Sequence, residues 1–238
     1  MEDLSPDRLR IDIVPVYSRL LKRFPISEAS KIIREQQLFE RQVYDSLKRL
    51  MDIVGALTVI ILTSWLYPFI YMAVYLDDGR PVFRKEQRIG KDSQVFSYYK
   101  FRSMSKDTEV KWLEKNDRSV TRVGRVLRRT RLDELPQLLS VVMGQLSLVG
   151  PRPDLIDFYP RLKAAIPFYD LRYRVKPGMT GWAQVNQPIQ PHTVEQTKER
   201  LEYDFYYLKY RSLWLDSKIL LKTFLILSGF VSKDPTTL

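Results

Sequence analysis

Between Asp52 and Asp77 lie 24 residues, 53–76, without a single charge. As a straight helix this run is about 36 Å long, against about 30 Å for the hydrocarbon core of a bilayer, so its length permits a membrane span. Two features favour a bent path instead. Pro68 lies inside the run, shortly after Thr63-Ser64, and an interior proline removes a helical hydrogen bond and kinks the chain. Basic residues also flank the run on both sides, with Lys48 and Arg49 before it and Arg80, Arg84 and Lys85 after it. Positive charge at both ends sets no single orientation across a membrane. A re-entrant helical hairpin, turning at Ser64 and Pro68 and leaving on the side it entered, satisfies both observations. An ordinary kinked transmembrane anchor is the alternative reading. A cleaved signal peptide is excluded by the distance from the N-terminus and by the lack of a small-residue cleavage pattern.

Elsewhere the pattern shortens. Leu215, Ile219, Leu220 and Phe224 recur at helical spacing, which predicts an amphipathic helix from about Leu213. Tyr203, Phe205, Tyr206, Tyr207, Tyr210, Trp214 and Phe224 crowd the same region with Lys209, Arg211, Lys218 and Lys222. Aromatics among snorkelling lysines suit a bilayer interface; packing in a core is the competing reading. Segments 81–86 and 94–101 read as a β-hairpin across Gly90-Lys91-Asp92. A helix is predicted over 135–143, ending at Gly144, and another over 31–43 with Ser27 as a candidate N-cap. No internal repeat or low-complexity tract stands out.

Composition narrows the chemistry. With 238 residues the chain can build one domain and a core, with a short appendage. There is no cysteine, hence no disulfide framework and no thiolate metal site. His192 is the one histidine, in a Pro- and Gln-rich loop, so a multi-histidine metal site is impossible and histidine-based nucleophilic catalysis is nearly so. Carboxylates, lysines, arginines or tyrosines must carry any reaction. Charge is unevenly placed: residues 80–131 hold 16 Lys/Arg against 6 Asp/Glu, nearly all of the chain's net +11. Anionic lipid, nucleic acid or a phosphorylated substrate could answer that bias.

The densest chemistry is Arg131-Leu132-Asp133-Glu134-Leu135-Pro136-Gln137, directly after Arg122, Arg125, Arg128 and Arg129. Proline is tolerated in a first helical turn, which places Asp133 near the N-cap and Glu134 just inside. The helix dipole favours an ionised carboxylate there by about 0.3–1 kcal/mol. An ionised Asp among arginines suits attack on phosphorus, and a neighbouring Glu suits a hard cation. A simple cap is the commoner use of the same pattern.

Three further stretches surround this one. They are Lys100-Phe101-Arg102-Ser103-Met104, the loop Ser147-Leu148-Val149-Gly150-Pro151-Arg152-Pro153, and the run from Val175 through Lys176-Pro177-Gly178-Met179-Thr180-Gly181-Trp182-Ala183-Gln184-Val185-Asn186. In order and spacing these motifs resemble the bacterial sugar transferases, also called monotopic phosphoglycosyl transferases. The resemblance runs from about Tyr44 to Phe230. Small members of that family begin near a Tyr-Asp-x-x-Lys-Arg motif, here Tyr44 to Arg49. One departure stands out: many relatives continue Ala-Gln-Val-Asn with Gly and Arg, whereas Asn186 is followed here by Gln187-Pro188-Ile189-Gln190-Pro191.

The resemblance implies a mainly α fold with a small β-hairpin, a kinked re-entrant membrane helix and interfacial amphipathic helices. It implies three parts: a charged, partly helical extension over 1–43, the membrane helix over 44–79 and a catalytic domain over 80–238. Members of the family move a sugar 1-phosphate from a UDP-sugar to polyprenyl phosphate, releasing UMP, at the cytoplasmic face of the bacterial inner membrane. This step initiates exopolysaccharide, O-antigen or other glycoconjugate synthesis. By the resemblance Asp133 forms an aspartyl-phosphosugar and Glu134 holds Mg²⁺. Arg128, Arg152, Lys100 and Arg102 grip phosphate, and Pro177, Gly178, Thr180, Gly181 and Gln184 form a nucleotide-sugar loop. Inner-membrane lipids are partners, nucleic acid is not, and a homodimer is admitted. The competing class is a membrane-tethered basic protein that binds anionic lipid or nucleic acid.

Overall fold

The computed structural model describes residues 23–29, 42–105, 120–187, 191 and 193–230. The predicted helix over 31–43 lies mostly outside these residues, as do His192 and positions 188–190 of the divergent loop. Ser27 sits in a 3-10 turn, Ile26–Glu28, whose cap is Pro25.

The uncharged run forms two helices, α1 (Gln42–Thr63) and α2 (Leu66–Asp78). They meet at an angle of 66°. Among the described residues no single helix is long and apolar enough to cross a membrane; only the bent pair has the length and composition together. The break falls at Ser64-Trp65, four residues before Pro68. A proline ring clashes with the carbonyl four residues back and supplies no N–H to it. That carbonyl belongs to Ser64, and it accepts the Tyr67 N–H at 3.2 Å instead. Ser64 Oγ turns back to the Ile61 carbonyl at 2.9 Å, which also accepts the Ser64 N–H at 3.4 Å.

The first half of α1 is docked by its polar residues. Asp52, buried, accepts from Ser147 Oγ at 3.0 Å and from the Leu148 N–H at 2.9 Å. Arg49 donates to the carbonyls of Val141 and Val142, each at 2.6 Å. Those two carbonyls end α4 (Leu138–Val142), where a cation is favoured. The second half presents Leu57, Ile61 and Leu62 to the outside, and α2 presents Phe69, Met72 and Leu76.

Beyond α2 the chain forms the expected hairpin, β1 (Phe83–Ile89) and β2 (Val95–Phe101), antiparallel with Glu86 opposite Tyr98. The first strand runs to Ile89 rather than ending at Glu86. The turn at Lys91–Ser93 closes with Asp92 and Ser93 at positive φ. α3 (Arg122–Thr130) follows, capped by Thr121, whose hydroxyl accepts the Gly124 N–H at 3.0 Å. A 3-10 helix, Leu132–Gln137, leads into α4, and Gly144 ends that helix at φ +83.

Two three-residue strands, β3 (Ser147–Val149) and β4 (Gly178–Thr180), pair in parallel. Between them lie α5 (Tyr159–Ala165) and a 3-10 helix, Tyr169–Arg174. The backbones approach closely: a Cβ added at Gly178 would stand 2.0 Å from the Gly150 nitrogen. α6 (Trp182–Asn186), α7 (Val194–Tyr210) and α8 (Leu213–Leu227) complete the described chain.

Two apolar clusters result. One packs α2 against the hairpin, α3 and α4 through Val74, Tyr98, Phe101, Leu127 and Leu138. The other packs α7 and α8 on Val149, Trp182 and the Tyr169–Arg174 helix. The C-terminal aromatics therefore divide. Tyr203, Phe205 and Tyr207 are core residues, because α7 passes through the middle of the second cluster; an interfacial role does not hold for them. Arg211 is buried as well, 3.4 Å from Asp45. Trp214 and Phe224 remain exposed on the outer side of α8, while Leu215 and Ile219 face inward.

Candidate functional site

Arg131 ends α3 in the left-handed conformation (φ 59) and so turns the chain straight into the 3-10 helix. Asp133 and Glu134 both fall inside its first turn, and Arg131, not Asp133, holds the cap position. No side-chain cap bond forms. The pair is thus released from the commonest use of such carboxylates. Pro136 lies inside this 3-10 helix, beyond its first turn, and not in the first turn that the sequence suggests.

The two carboxylates differ. Asp133 is buried, and its Oδ1 has no hydrogen-bond partner among the described residues. Burial, and then the charge of Glu134, push its pKa up to about 6, against the opposing pull of Lys100, Arg131 and Arg128. Loss of solvent outweighs the arginines, so the carboxyl is harder to ionise than the sequence suggests, though it still ionises below neutral pH. Glu134 behaves in the opposite way. Burial would raise it, but Arg152 and Arg131 hold it below the ordinary glutamate value. Its Oε1 lies 3.1 Å from Arg152 Nη2 and 3.4 Å from Arg131 Nη1.

The other expected residues fall into three groups. Arg128 donates to Ser103 Oγ at 3.1 Å and lines a cavity of about 510 Å³ together with Arg131, Glu134 and Arg152. Lys100 sits behind the pair, 2.6 Å from Glu86 Oε1. Burial lowers its ammonium pKa, and Glu86 opposes the shift. Arg102 is turned elsewhere. It donates to the carbonyls of Asp78 and Gly79 at 2.6 and 2.8 Å and pairs with the Asp78 carboxylate, holding the C-terminus of α2.

Thr180 and Gln184 line the same cavity. Thr180 Oγ1 lies 2.7 Å from Thr223 Oγ1, and Gln184 Nε2 donates to the Met179 carbonyl at 3.2 Å. Gln184 Oε1 is buried without a partner among the described residues. Pro177, Gly178 and Gly181 contribute backbone. The Pro177 carbonyl accepts the Ser147 N–H at 2.9 Å, and the Gly178 N–H reaches the Pro151 carbonyl at 2.9 Å, binding this loop to the Pro-Arg-Pro loop. Ser64 and Pro68 stay at the helix break, away from the cavity wall. Gln187 and Pro191, from the divergent loop, do line it.

The cavity's lining is of two kinds. Arg128, Arg129, Arg131, Arg152 and Arg200 line it with Glu134, and Val59, Leu138, Leu148, Leu220, Ile226 and Leu227 supply apolar side chains. Arg200 had no motif to mark it. It reaches the site from α7 and donates to the Arg152 carbonyl at 3.1 Å. Arg172, fully buried, donates to the same carbonyl at 2.9 Å, and it pairs with Asp154 and, at 2.8 Å, with Asp204. Tyr169 and Tyr173 also donate to Asp154. Burial would raise the Asp154 pKa; Arg172 and Arg200 with the two tyrosine bonds bring it down to about 2. Asp204, with fewer donors, is held up by burial.

No group of three or more His, Asp or Glu side chains is gathered for a metal among the described residues. The donor set that does exist, Glu134 beside the partnerless Asp133 oxygen, suits a cation that takes one or two protein carboxylates and fills its shell from substrate phosphate and water, as Mg²⁺ does.

The chain is 41% identical over 197 residues to the UDP-N-acetylgalactosamine-undecaprenyl-phosphate N-acetylgalactosaminephosphotransferase of Aeromonas hydrophila, covering 81% of this chain and 46% of that protein. It is 41% identical over 191 residues to the UDP-glucose:undecaprenyl-phosphate glucose-1-phosphate transferase of Escherichia coli (strain K12), covering 79% and 41%. It therefore spans less than half the length of these two relatives. Against the exopolysaccharide production protein PSS of Rhizobium leguminosarum bv. phaseoli it is 37% identical over 188 residues, covering 74% of this chain and 92% of that protein. The bacterial sugar transferase profile matches residues 43–229, from the start of α1 to the end of α8, and the chain belongs to that family.

Proposed function

We propose that the protein transfers a sugar 1-phosphate from a UDP-sugar to polyprenyl phosphate at the cytoplasmic face of a bacterial inner membrane. One observation carries this reading. A single cavity is lined both by a cluster of arginines with Glu134 and by apolar side chains of α1 and α8. Phosphates belong with the arginines and a prenyl chain with the apolar side chains. A protein that merely held anionic lipid would need the arginines and the apolar side chains, but not the buried Asp133, with its partnerless oxygen, next in the chain to the lining Glu134.

Asp133 attacks the sugar-bearing phosphorus of the UDP-sugar. A carboxylate–phosphorus bond forms, the bond to the UMP oxygen breaks, and UMP leaves with the electron pair. A phosphate oxygen of polyprenyl phosphate then attacks the same phosphorus. The acyl–phosphate bond breaks, the Asp133 carboxylate returns, and the lipid leaves as a diphosphate sugar. Arg128 and Arg152 bind and orient the phosphates, for which a planar guanidinium offers paired donors. Glu134, with the substrate phosphates, would hold Mg²⁺, which when bound offsets the charge on those phosphates. The bent α1–α2 pair enters the bilayer and returns, and exposed Trp214 and Phe224 of α8 rest at its surface. Like the Rhizobium relative by its name, the protein serves exopolysaccharide production.

The test is release of UMP from a panel of UDP-sugars by the purified chain in detergent, with Mg²⁺ and polyprenyl phosphate. Release with one sugar, dependent on the lipid for repeated turnover, is the expected result and identifies the substrate. No UMP from any sugar would leave the basic, membrane-tethered binding protein as the better reading.

A further inference from the structure

A second cavity, of about 270 Å³, lies on the other side of β3 from the arginine site. Lys48, Arg49, Lys91, Arg174, Lys176 and Arg211 line it, against two carboxylates, Asp45 and Asp52. The cations are not equally spent. Lys48 pairs with Asp216 at 3.1 Å, Arg211 with Asp45, and Arg49 is engaged by two main-chain carbonyls. Asp52 is already committed to Ser147 and the Leu148 N–H. Lys91, Arg174 and Lys176 meet no carboxylate within 4 Å among the described residues. Three positive charges from two separate segments thus converge on one concavity without an ion-pair partner among the described residues, and Asp52 and Asp45 act on Lys176 only from beyond 4 Å. Burial first, and then the charge of Arg49, lower the Lys176 pKa, the sign expected of a cation crowded by others.

We infer that this cavity is a binding site for a phosphate-bearing anion, separate from the arginine site around Glu134. Its position points to a source. Asp45, Lys48, Arg49 and Asp52 occupy the first turns of α1, just before the uncharged run opens at Ile53. In a membrane-dipping α1 this level is the headgroup layer, where basic pockets collect anionic lipid. The chemistry serves a soluble phosphate equally well. An anion here would tie α1 to the Arg174–Lys176 segment. Lys176 leads directly into β4, whose Met179 and Thr180 line the first cavity.

The full-length chain purified in detergent tests this directly. Native mass spectrometry counts retained phosphatidylglycerol against phosphatidylcholine of the same chain length, and thermal melting reports stabilisation by millimolar inorganic phosphate at constant ionic strength. We expect at least a fivefold preference for phosphatidylglycerol, or a phosphate-dependent rise in melting temperature, the first identifying a headgroup and the second a soluble anion. Either signal should fall at least fivefold in R174Q/K176Q, return in R174K/K176R and persist in K163Q/K198Q, which removes the same charge elsewhere. The single variant K91Q, on an exposed turn that the fold does not need, should weaken the signal at least twofold, so a misfolded double variant does not leave the matter open. The inference is overturned if the wild type shows neither signal, if R174Q/K176Q keeps it, or if K163Q/K198Q loses it equally. UMP release plays no part in these readouts, so they stand or fall apart from the transferase reading.

Discussion

Arg152 Nη2 lies 3.1 Å from Glu134 Oε1, and this contact joins the Pro-Arg-Pro loop to the acidic pair across 18 residues of chain. The aim of that guanidinium is set from behind, because Arg172 and Arg200 both hold the Arg152 carbonyl. The consequence is a division of labour. Glu134, clamped by Arg152 and Arg131, stays ionised and fixed, which suits a cation ligand. Asp133, one residue away, is buried, keeps a bare oxygen and sits near pKa 6. Environments that push two neighbouring carboxyls apart in this way are how a single site assigns them different tasks.

Asp133 is the nucleophile in this scheme, so Asp133→Asn should lower turnover by about 10⁴-fold or more. It should also abolish trapping of radiolabelled phosphosugar on the protein in the absence of lipid acceptor. The two-step transfer gives ping-pong kinetics. Near-normal turnover in this variant would remove Asp133 from the reaction.

Glu134 carries the metal expectation. EDTA should stop UMP release and Mg²⁺ should restore it. Glu134→Gln should demand about tenfold more Mg²⁺ or more, since outer and inner ligand changes commonly cost that much. It also leaves Arg152 and Arg131 without their carboxylate, so a melting curve should accompany the titration. Full activity in EDTA would end the metal assignment.

For the arginines, the conservative change is the sharp one. Arg152→Lys and Arg128→Lys keep the charge but lose the planar pair of donors, and each should cost about 10²-fold in kcat/KM, the scale for removing a preorganised donor. Arg102→Lys should act differently. It loosens the C-terminus of α2, so the melting temperature should fall more than the activity of the protein that stays folded. If Arg152→Lys and Arg128→Lys both work normally, these side chains are surface charges.

The sequence made the large features legible for physical reasons. An uncharged run interrupted by Pro68 has few solutions, and the acidic pair stood out against a basic background. The break lies at Ser64-Trp65 rather than at the proline because the ring acts on the carbonyl four residues back. Other features left no local signal. β3 and β4 are three residues each, too short for any alternation, and their pairing is visible only once Gly150 and Gly178 meet. Arg200 belongs to no motif, and only the fold of α7 brings it to Arg152. The interfacial reading of Tyr203, Phe205 and Tyr207 failed because aromatic density looks the same in a core as at a membrane surface. The raised pKa of Asp133 depends on burial, which a list of neighbouring charges does not contain.

Asp154 makes stability depend on acid. Its pKa is depressed to about 2, below the unfolded value of about 3.9. Such a group contributes stability above its unfolded pKa and loses it as pH falls through its folded pKa. The loss should appear between about pH 4 and pH 2. Asp154→Asn leaves Arg172 buried with one partner fewer, which typically costs about 3–5 kcal/mol. The melting temperature of this variant should lie well below wild type at pH 7, and the gap should narrow toward pH 2. A gap that is constant with pH would show that the ionised carboxylate is not what holds this network.

The topology prediction follows from the bend. If α1 and α2 enter the bilayer and return, Ser46 and Asp78 face the cytoplasm together. The chain has no cysteine, so single cysteines at positions 46 and 78 can be labelled without background. In intact spheroplasts an impermeant thiol reagent should reach neither, and opening the membrane should expose both. Labelling of one from outside would establish a true span. The cause of the bend is separately accessible. In Pro68→Ala the new N–H can bond the Ser64 carbonyl four residues back, and the ring no longer forces that carbonyl aside. α1 and α2 could then join into one helix of about 55 Å over residues 42–78. Its uncharged part, about 36 Å, is long enough to cross the hydrocarbon core. Part of the Pro68→Ala protein should therefore label at position 78 from outside. The docked half of α1 resists the change, since Asp52, Arg49 and Lys48 keep their partners on the catalytic domain. Adding Ser64→Ala, which removes the hydroxyl bond to the Ile61 carbonyl, should increase the externally labelled fraction. If both variants keep position 78 inside, the hairpin is held by that docking and by the flanking charges, and not by the proline.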